Sequence, residues 1–200
     1  MNDQIFEAVV STQSAQGVAH VAPMGVRYIG GQVLLMPFRP STTHDNILAT
    51  GNAVLNRVVD GRVFAGCVTG RRQWPLLATE RIAGQRLAAA LSHVELQLLR
   101  HDGHAQRPTL WLAPLHEVQH APFLGLNRAQ AAVLEGAVLV SRLHLLPADK
   151  VASEMAYLQI AIDKTAGPDE HEAWGWLSEA VRRHHGQTGL ASAAPCASHD

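Results

Sequence analysis

His116-Glu117-Val118-Gln119-His120 reads H-E-x-x-H. In a zinc protease this spacing supplies two imidazole ligands and a glutamate general base. The chemistry works because a helix brings residues i and i+4 to one face, so that both imidazoles reach one ion. Here the helix is opposed by the surrounding residues. Pro114 and Pro122 bracket the motif, and Pro122 disfavours helical backbone at Ala121. The preceding Thr109 to Gln119 reads as a strand, in which i and i+4 Cα atoms lie about 13 Å apart. A third ligand is also missing. The metzincin extension needs a glycine and a histidine where this chain has Phe123 and Leu126. The expectation is a strand end carrying two surface histidines, with no metal. His101 and His104, in a turn, and His184 and His185, at a helix end, read as solvated surface.

A second set of residues suits a phosphorylated planar ligand. Ala22-Pro23-Met24-Gly25-Val26 places a proline and a glycine inside a strand. That combination marks an edge or a bulge where another backbone or a flat ligand comes close. Phe38-Arg39-Pro40-Ser41-Thr42-Thr43-His44-Asp45-Asn46 gathers three hydroxyls and an arginine at a helix start. A helix N-terminus favours an anion, and hydroxyls with a guanidinium complete a phosphate site. The alternatives are a barrel corner for the first segment and ordinary N-capping for the second.

The elements that must position these residues fall into two halves. Ile5 to Thr12, Val18 to Ile29, Gln32 to Phe38, Ala53 to Val59, Arg62 to Val68, Leu91 to Leu99 and Thr109 to Gln119 read as strands. Gly30-Gly31 and Asp60-Gly61 serve as turns. Between them, Ser41 to Thr43 cap a short helix over His44 to Thr50, which Gly51 stops. After Phe123 the period changes to that of a helix. Asn127 is an N-cap with Gln130 three residues on. Pro147 ends this first helix, Ala148 to Thr165 forms a second, and Pro168 opens a third with Gly186 beyond it. Strands and helices are segregated, which is α+β by layer logic. The expected division is a barrel domain over 1–122, a helical subdomain over 123–186 and a disordered tail over 187–200.

Composition narrows the function. The 200 residues are 47% hydrophobic and carry a formal net charge of −1, with twelve histidines counted neutral. No basic surplus exists to neutralise nucleic acid. No apolar run reaches the roughly 18 residues that span a bilayer. Cys67 and Cys196 form no disulfide framework or metal spacing, and the N-terminus lacks a secretory pattern. A cytoplasmic location is the expectation.

Two stretches resemble a known family. EAVVST, GVAHVAPMGV, VLLMPFRPSTTHDNI and AVLNRVVD, from Glu7 to Asp60, are similar to the N-terminal part of the DUF447 family. FLGLNRAQAAVLEGAVLVSRL, Phe123 to Leu143, resembles its second signature, with Leu126 in place of the usual aromatic and Ser141 in place of the usual threonine. The resemblance implies an FMN-binding antiparallel split barrel, related to flavin reductases, followed by about three helices. It implies a homodimer, with Met24, Gly25 and Val26 lining the isoalloxazine through backbone groups. Ser41, Thr42, Thr43 and Asn46 would hold the phosphate and ribityl chain, and Asn56 would add a contact. Arg39 rests on the phosphate chemistry alone. No acid, base or nucleophile stands out, which suits a protein whose cofactor carries the redox chemistry. The activity expected is an FMN-dependent oxidoreductase of flavin-reductase type that takes NAD(P)H or a pterin transiently, with a tie to tetrahydromethanopterin-type one-carbon metabolism. The alternative is a non-catalytic protein that binds flavin or another phosphorylated ligand.

Overall fold

The structure, a computed structural model, describes residues 4–192, with side chains as far as Gly186. It divides into a barrel unit, which holds residues up to 63 and 72–125, and a helical unit, which holds 64–71 and the residues from 126 onward.

The barrel unit begins with β1 (Phe6–Gln13), β2 (Ala19–Ile29) and β3 (Gln32–Leu35), followed by α1 (Thr42–Thr50) and β4 (Asn52–Arg57). It continues with a small hairpin, β5 (Leu76–Ala78) and β6 (Gln85–Leu87), and ends with β7 (Ser92–His101) and β8 (Leu110–Gln119). Six strands close an antiparallel barrel in the order β1-β2-β3-β8-β7-β4. The period of two sends Ala8, Val10, Val26, Leu35, Leu55, Val94, Leu96 and Leu110 inward to one apolar core. Ile47 of α1 joins that core, so the helix closes the barrel end where β1 finishes. At the opposite end the mouth is a cleft of about 560 Å³, with Phe6, Tyr28, Arg57 and Phe123 among its lining.

β3 is shorter than its sequence suggests, and this leaves the barrel partly split. β3 pairs with β2 only from Val26 to Ile29, whereas β1 pairs with β2 along Ala19 to Val26. From Ala19 to Gly25 the second edge of β2 therefore has no strand beside it among the described residues. Pro23 is accommodated because an edge strand can dispense with a ladder donor.

One predicted strand is a helix. Arg62 to Val68 forms most of α2 (Gly61–Val68). Asp60-Gly61 is its start rather than a hairpin turn, because the Asp60 carboxylate accepts from the Arg62 backbone N–H at 3.0 Å and holds the Arg62 guanidinium. The β5–β6 hairpin, in a region with no regular pattern, is clamped to the barrel by buried polar side chains. Ser11 Oγ donates to the Gln85 carbonyl at 2.6 Å, and the Leu87 N–H donates to Asn56 Oδ1 at 2.8 Å.

In the helical unit, α4 (Ala148–Thr165) and α5 (Pro168–Ser192) begin where expected, but α3 (Arg128–Ser141) stops short of Pro147, and a 3-10 turn over Leu143–Leu145 fills the gap. Asn127 caps α3 by accepting from the Ala129 and Gln130 N–H groups. Gln130 does not complete a capping box; its amide donates to Glu170 instead. Gly136 allows α3 and α5 to approach, since a Cβ there would lie 2.9 Å from Trp174 Cζ3. Helix α5 does not stop at Gly186 but runs through it to Ser192. Residues 193–200 of the expected tail lie outside the described residues.

Candidate functional site

The two segments singled out for a phosphorylated planar ligand lie on adjoining elements. α1 packs against β1 and β2. Asn46 Nδ2 donates to Thr12 Oγ1 at 3.0 Å, and Thr12 is the register partner of His20 at the start of β2. From His20 to Met24 the strand advances about 13 Å. The open edge of β2 thus leads away from the α1 end of the barrel.

On β2 the side chains divide by face. Val26 is fully buried in the core, so only its backbone can meet a ligand. Met24 and Gly25 are half-buried. A Cβ on Gly25 would stand 2.6 Å from Ile5 Cγ2, so the glycine is required for the close approach of the chain start.

At α1, Ser41 is the N-cap and its hydroxyl accepts from the His44 N–H at 3.2 Å. Arg39 and Thr42 are exposed and Ser41 is half-buried, so these three can meet a ligand directly. Thr43 and Asn46 are buried, and the Asn46 amide is committed to Thr12. Thr43 retains its place at the helix start through its backbone N–H, an orphan donor of the first turn.

Asn56 differs from the expectation. It is 0% exposed, its Nδ2 donates to the Val9 carbonyl and Ser11 Oγ, and its Oδ1 accepts from Leu87. Those bonds join β4, β1 and β6. The residue therefore secures the hairpin on the barrel and faces no ligand space.

A cation that the sequence pattern did not reveal braces the α1 entry. The Arg39 N–H donates to the Gln106 carbonyl at 2.9 Å, and the Arg107 guanidinium lies 4.7 Å from the centre of the Phe38 ring. The loop that carries Arg107 is fixed by Asp102, which accepts from the Thr109 and His104 N–H groups. Those donors, Thr109 first, hold the Asp102 carboxyl below its ordinary value. Arg107 could have been suspected only from its position in HDGHAQRP, a loop whose neighbour in space is not a neighbour in sequence.

His116 to Gln119 of the H-E-x-x-H motif lie on β8, as a strand, and His120 directly follows it. Among the described residues no group of three or more potential ligands could hold a metal ion. Its histidines are nonetheless more than separate surface groups. In the β7–β8 register Glu95 faces His116 and His93 faces Val118, so His93, Glu95, His116 and His120 share one outer face. His93 Nδ1 and His120 Nε2 are 2.8 Å apart, and His116 Nε2 lies 3.3 Å from Glu80 Oε2.

The architecture is that of an α+β protein with a split antiparallel barrel and a separate helical part. The chain belongs to the DUF447 family, described as proteins of unknown function: its N-terminal domain model matches residues 6–121 and its C-terminal model residues 127–179. Among solved structures, the FMN-bound DUF447 protein MM1853 from Methanosarcina mazei is 22% identical, with a TM-score of 0.77 over 90% of this chain and 96% of that one. The 2-nitrobenzoate 2-nitroreductase NbaA from Pseudomonas fluorescens is 18% identical, with a TM-score of 0.51 over 60% and 66% of the two chains. An FMN-binding protein from Thermus thermophilus with bound p-hydroxybenzaldehyde is 13% identical, with a TM-score of 0.51 over 60% and 74%. No curated protein matches the chain.

Proposed function

We propose that this protein binds FMN and acts as an FMN-dependent oxidoreductase of flavin-reductase type. The observation that carries the reading is the open edge of β2 at Met24 and Gly25, on the strand against which α1 packs, with Arg39, Ser41 and Thr42 at that helix's N-terminus. The FMN bound to MM1853 and the nitroreductase among the structural neighbours support it. When bound, FMN supplies the capacity to accept and pass on a hydride. The chain's own residues bind and orient. Backbone groups of Met24 to Val26 meet the ring, and the free N–H groups of α1, the hydroxyls of Ser41 and Thr42 and the Arg39 guanidinium hold the phosphate. Among the expected contacts, Thr43 acts through its backbone, Asn46 orients α1, and Asn56 holds the hairpin.

A homodimer and a cytoplasmic location belong to the same proposal; no described helix is long and apolar enough to cross a membrane. No G-x-G-x-x-G fingerprint is present, so the hydride donor, NAD(P)H or a reduced pterin, docks transiently. A non-catalytic flavin-binding protein is the second reading, favoured because Met24 and Gly25 themselves carry no acid, base or nucleophile. The test is the visible spectrum of the purified protein and its anaerobic response to NAD(P)H and to a reduced pterin. A flavin spectrum bleached by either donor supports the oxidoreductase. A spectrum that no donor bleaches supports the second reading, and a colourless protein that neither retains nor takes up FMN overturns both. Arg39→Ala with Thr42→Ala should weaken FMN retention at least tenfold. Wild-type retention in that double variant would show the phosphate assignment to be wrong.

A further inference from the structure

His93, at 1% exposure, is enclosed on the outer face of β7, with polar groups on three sides. On one side is Glu95, itself 0% exposed, whose Oε1 lies 3.4 Å from His93 Nε2. On the second is His120, whose Nε2 is 2.8 Å from His93 Nδ1. The His93 and His120 ring planes are 9° apart and their centroids 5.0 Å apart. The centroid distance exceeds the nitrogen–nitrogen distance by about two ring radii. The rings therefore meet edge to edge in one plane, with the nitrogens aimed at each other. On the third side His116 presents its ring at 79°. The charged groups facing this cluster are Glu80 from the loop after β5 and Arg86 from β6, together with Glu95, His116 and His120 themselves.

This geometry imposes a proton count. A linear N···N contact at 2.8 Å needs one donor and one acceptor, because a neutral imidazole has one of each and an imidazolium has two donors. Glu95 is ionised. Burial pushes its carboxyl up, but the N–H groups of Glu80, Arg81 and Ile82 at 2.7 to 2.8 Å, with His93, outweigh burial and hold it below its ordinary value. A carboxylate that accepts from His93 Nε2–H leaves only His93 Nδ1 free to change state.

We infer that Glu95, His93 and His120 form an acid–base site, a proton relay that carries one proton between solvent at His120 and a stored position on His93. A proton from solvent binds His120 Nδ1. The proton on His120 Nε2 crosses the 2.8 Å contact to His93 Nδ1, and His93 becomes an imidazolium paired with the Glu95 carboxylate. His120 returns to the neutral state in its other tautomer, accepting through Nε2. One proton enters, one moves on, and the two rings gain a single charge. His120 does not retain the proton: burial first, then the Arg86 and His93 charges, hold its imidazole below its ordinary value against the opposing pull of Glu80. The stored charge sits on the carboxylate that anchors residues 80–82, so the relay couples proton uptake to the hold on that loop.

The test is the imidazole nitrogen-15 spectrum of the full chain between pH 8 and pH 5. His93 should show both nitrogens protonated as pH falls, while His120 stays neutral and switches from Nε2–H to Nδ1–H in step with it. In Glu95→Gln the signal of doubly protonated His93 should be lost, since the substitution removes the paired charge. His120→Gln, at an exposed position that should not disturb folding, should slow the exchange of the His93 proton with water at least tenfold. The inference is overturned if His120 is the ring that becomes an imidazolium, if the two rings titrate independently, or if the pair takes up stoichiometric Zn²⁺ that His120→Gln abolishes.

Discussion

Replacing Glu95 by glutamine tests how the β5–β6 connection is held. Glu95 Oε2 accepts from the Arg81 and Ile82 N–H groups at 2.8 Å each, and Oε1 accepts from Glu80 at 2.7 Å while facing His93 at 3.4 Å. Glutamine keeps one acceptor oxygen and turns an NH₂ group toward the other set of donors. If its carbonyl keeps Arg81 and Ile82, the Glu80 N–H loses its partner and meets another donor. An orphaned donor costs about 1–3 kcal/mol, and the surviving bonds lose the extra strength of a charged acceptor. The sum is a destabilisation of about 2–4 kcal/mol at neutral pH. Urea unfolding gives this as a lower midpoint at unchanged slope. Amide exchange should quicken at Glu80, Arg81 and Ile82 before it does in β7. A loss below about 1 kcal/mol, with exchange at those three amides unchanged, would refute the view that one buried carboxylate anchors the loop.

Asn56→Asp places oxygen where Nδ2 now donates to the Val9 carbonyl, Ser11 Oγ and the Val54 carbonyl. It should cost the barrel about 2–4 kcal/mol in urea unfolding, while the folded fraction retains FMN as the wild type does. Gly136→Val drives a side chain into Trp174 and Leu177 and should destabilise the helical unit by about 1–3 kcal/mol, as read by the Trp fluorescence transition. Ser41→Ala removes the α1 cap and should cost about 1 kcal/mol by chemical denaturation. The pH dependence has two steps. Burial first, aided by nearby cations, lowers the His20 and His120 values, so the native state favours their neutral forms. Their contribution is present above the ordinary histidine value of 6.5 and is lost as pH falls below it. Glu95, whose value is also lowered, contributes above its ordinary 4.5, and that contribution is lost as pH falls through the carboxylate range. Thermal melts from pH 8 to pH 3 should show both declines.

The features that local rules govern were legible. Gly30-Gly31 joins two barrel strands, Ser41 caps α1, and Asn127, Pro147 and Pro168 punctuate the helices at the places their chemistry suggests. α2 was not legible, because Arg62-Val63-Phe64 has the β-branched and aromatic character of a strand and the segment is only eight residues long. Glycine, hydroxyl and arginine placement singles out Gly25, Arg39, Ser41 and Thr42, and the structure leaves these residues exposed or half-buried. The burial of Thr43, Asn46 and Asn56 was not legible. Each of these faces an element distant in sequence, and residue type alone does not distinguish an amide that meets a ligand from one that clamps a hairpin. The same holds for His93 and Glu95. Their alternation marks a strand face, but only the β7–β8 register brings His120 to meet them.

Pro23 has a consequence for solubility. A strand with an unpaired edge is a template on which another chain can build, and natural proteins guard such edges against aggregation. Among the described residues, β2 has no strand beside its second edge from Ala22 to Gly25, and it is otherwise rich in apolar residues. Proline lacks the N–H that an incoming strand would need, so Pro23 interrupts any ladder midway along the opening. The same opening that leaves backbone groups available to a small ligand is thereby closed to a foreign strand. Pro23 guards this strand's edge against self-association, while the glycine two residues beyond it makes room for Ile5.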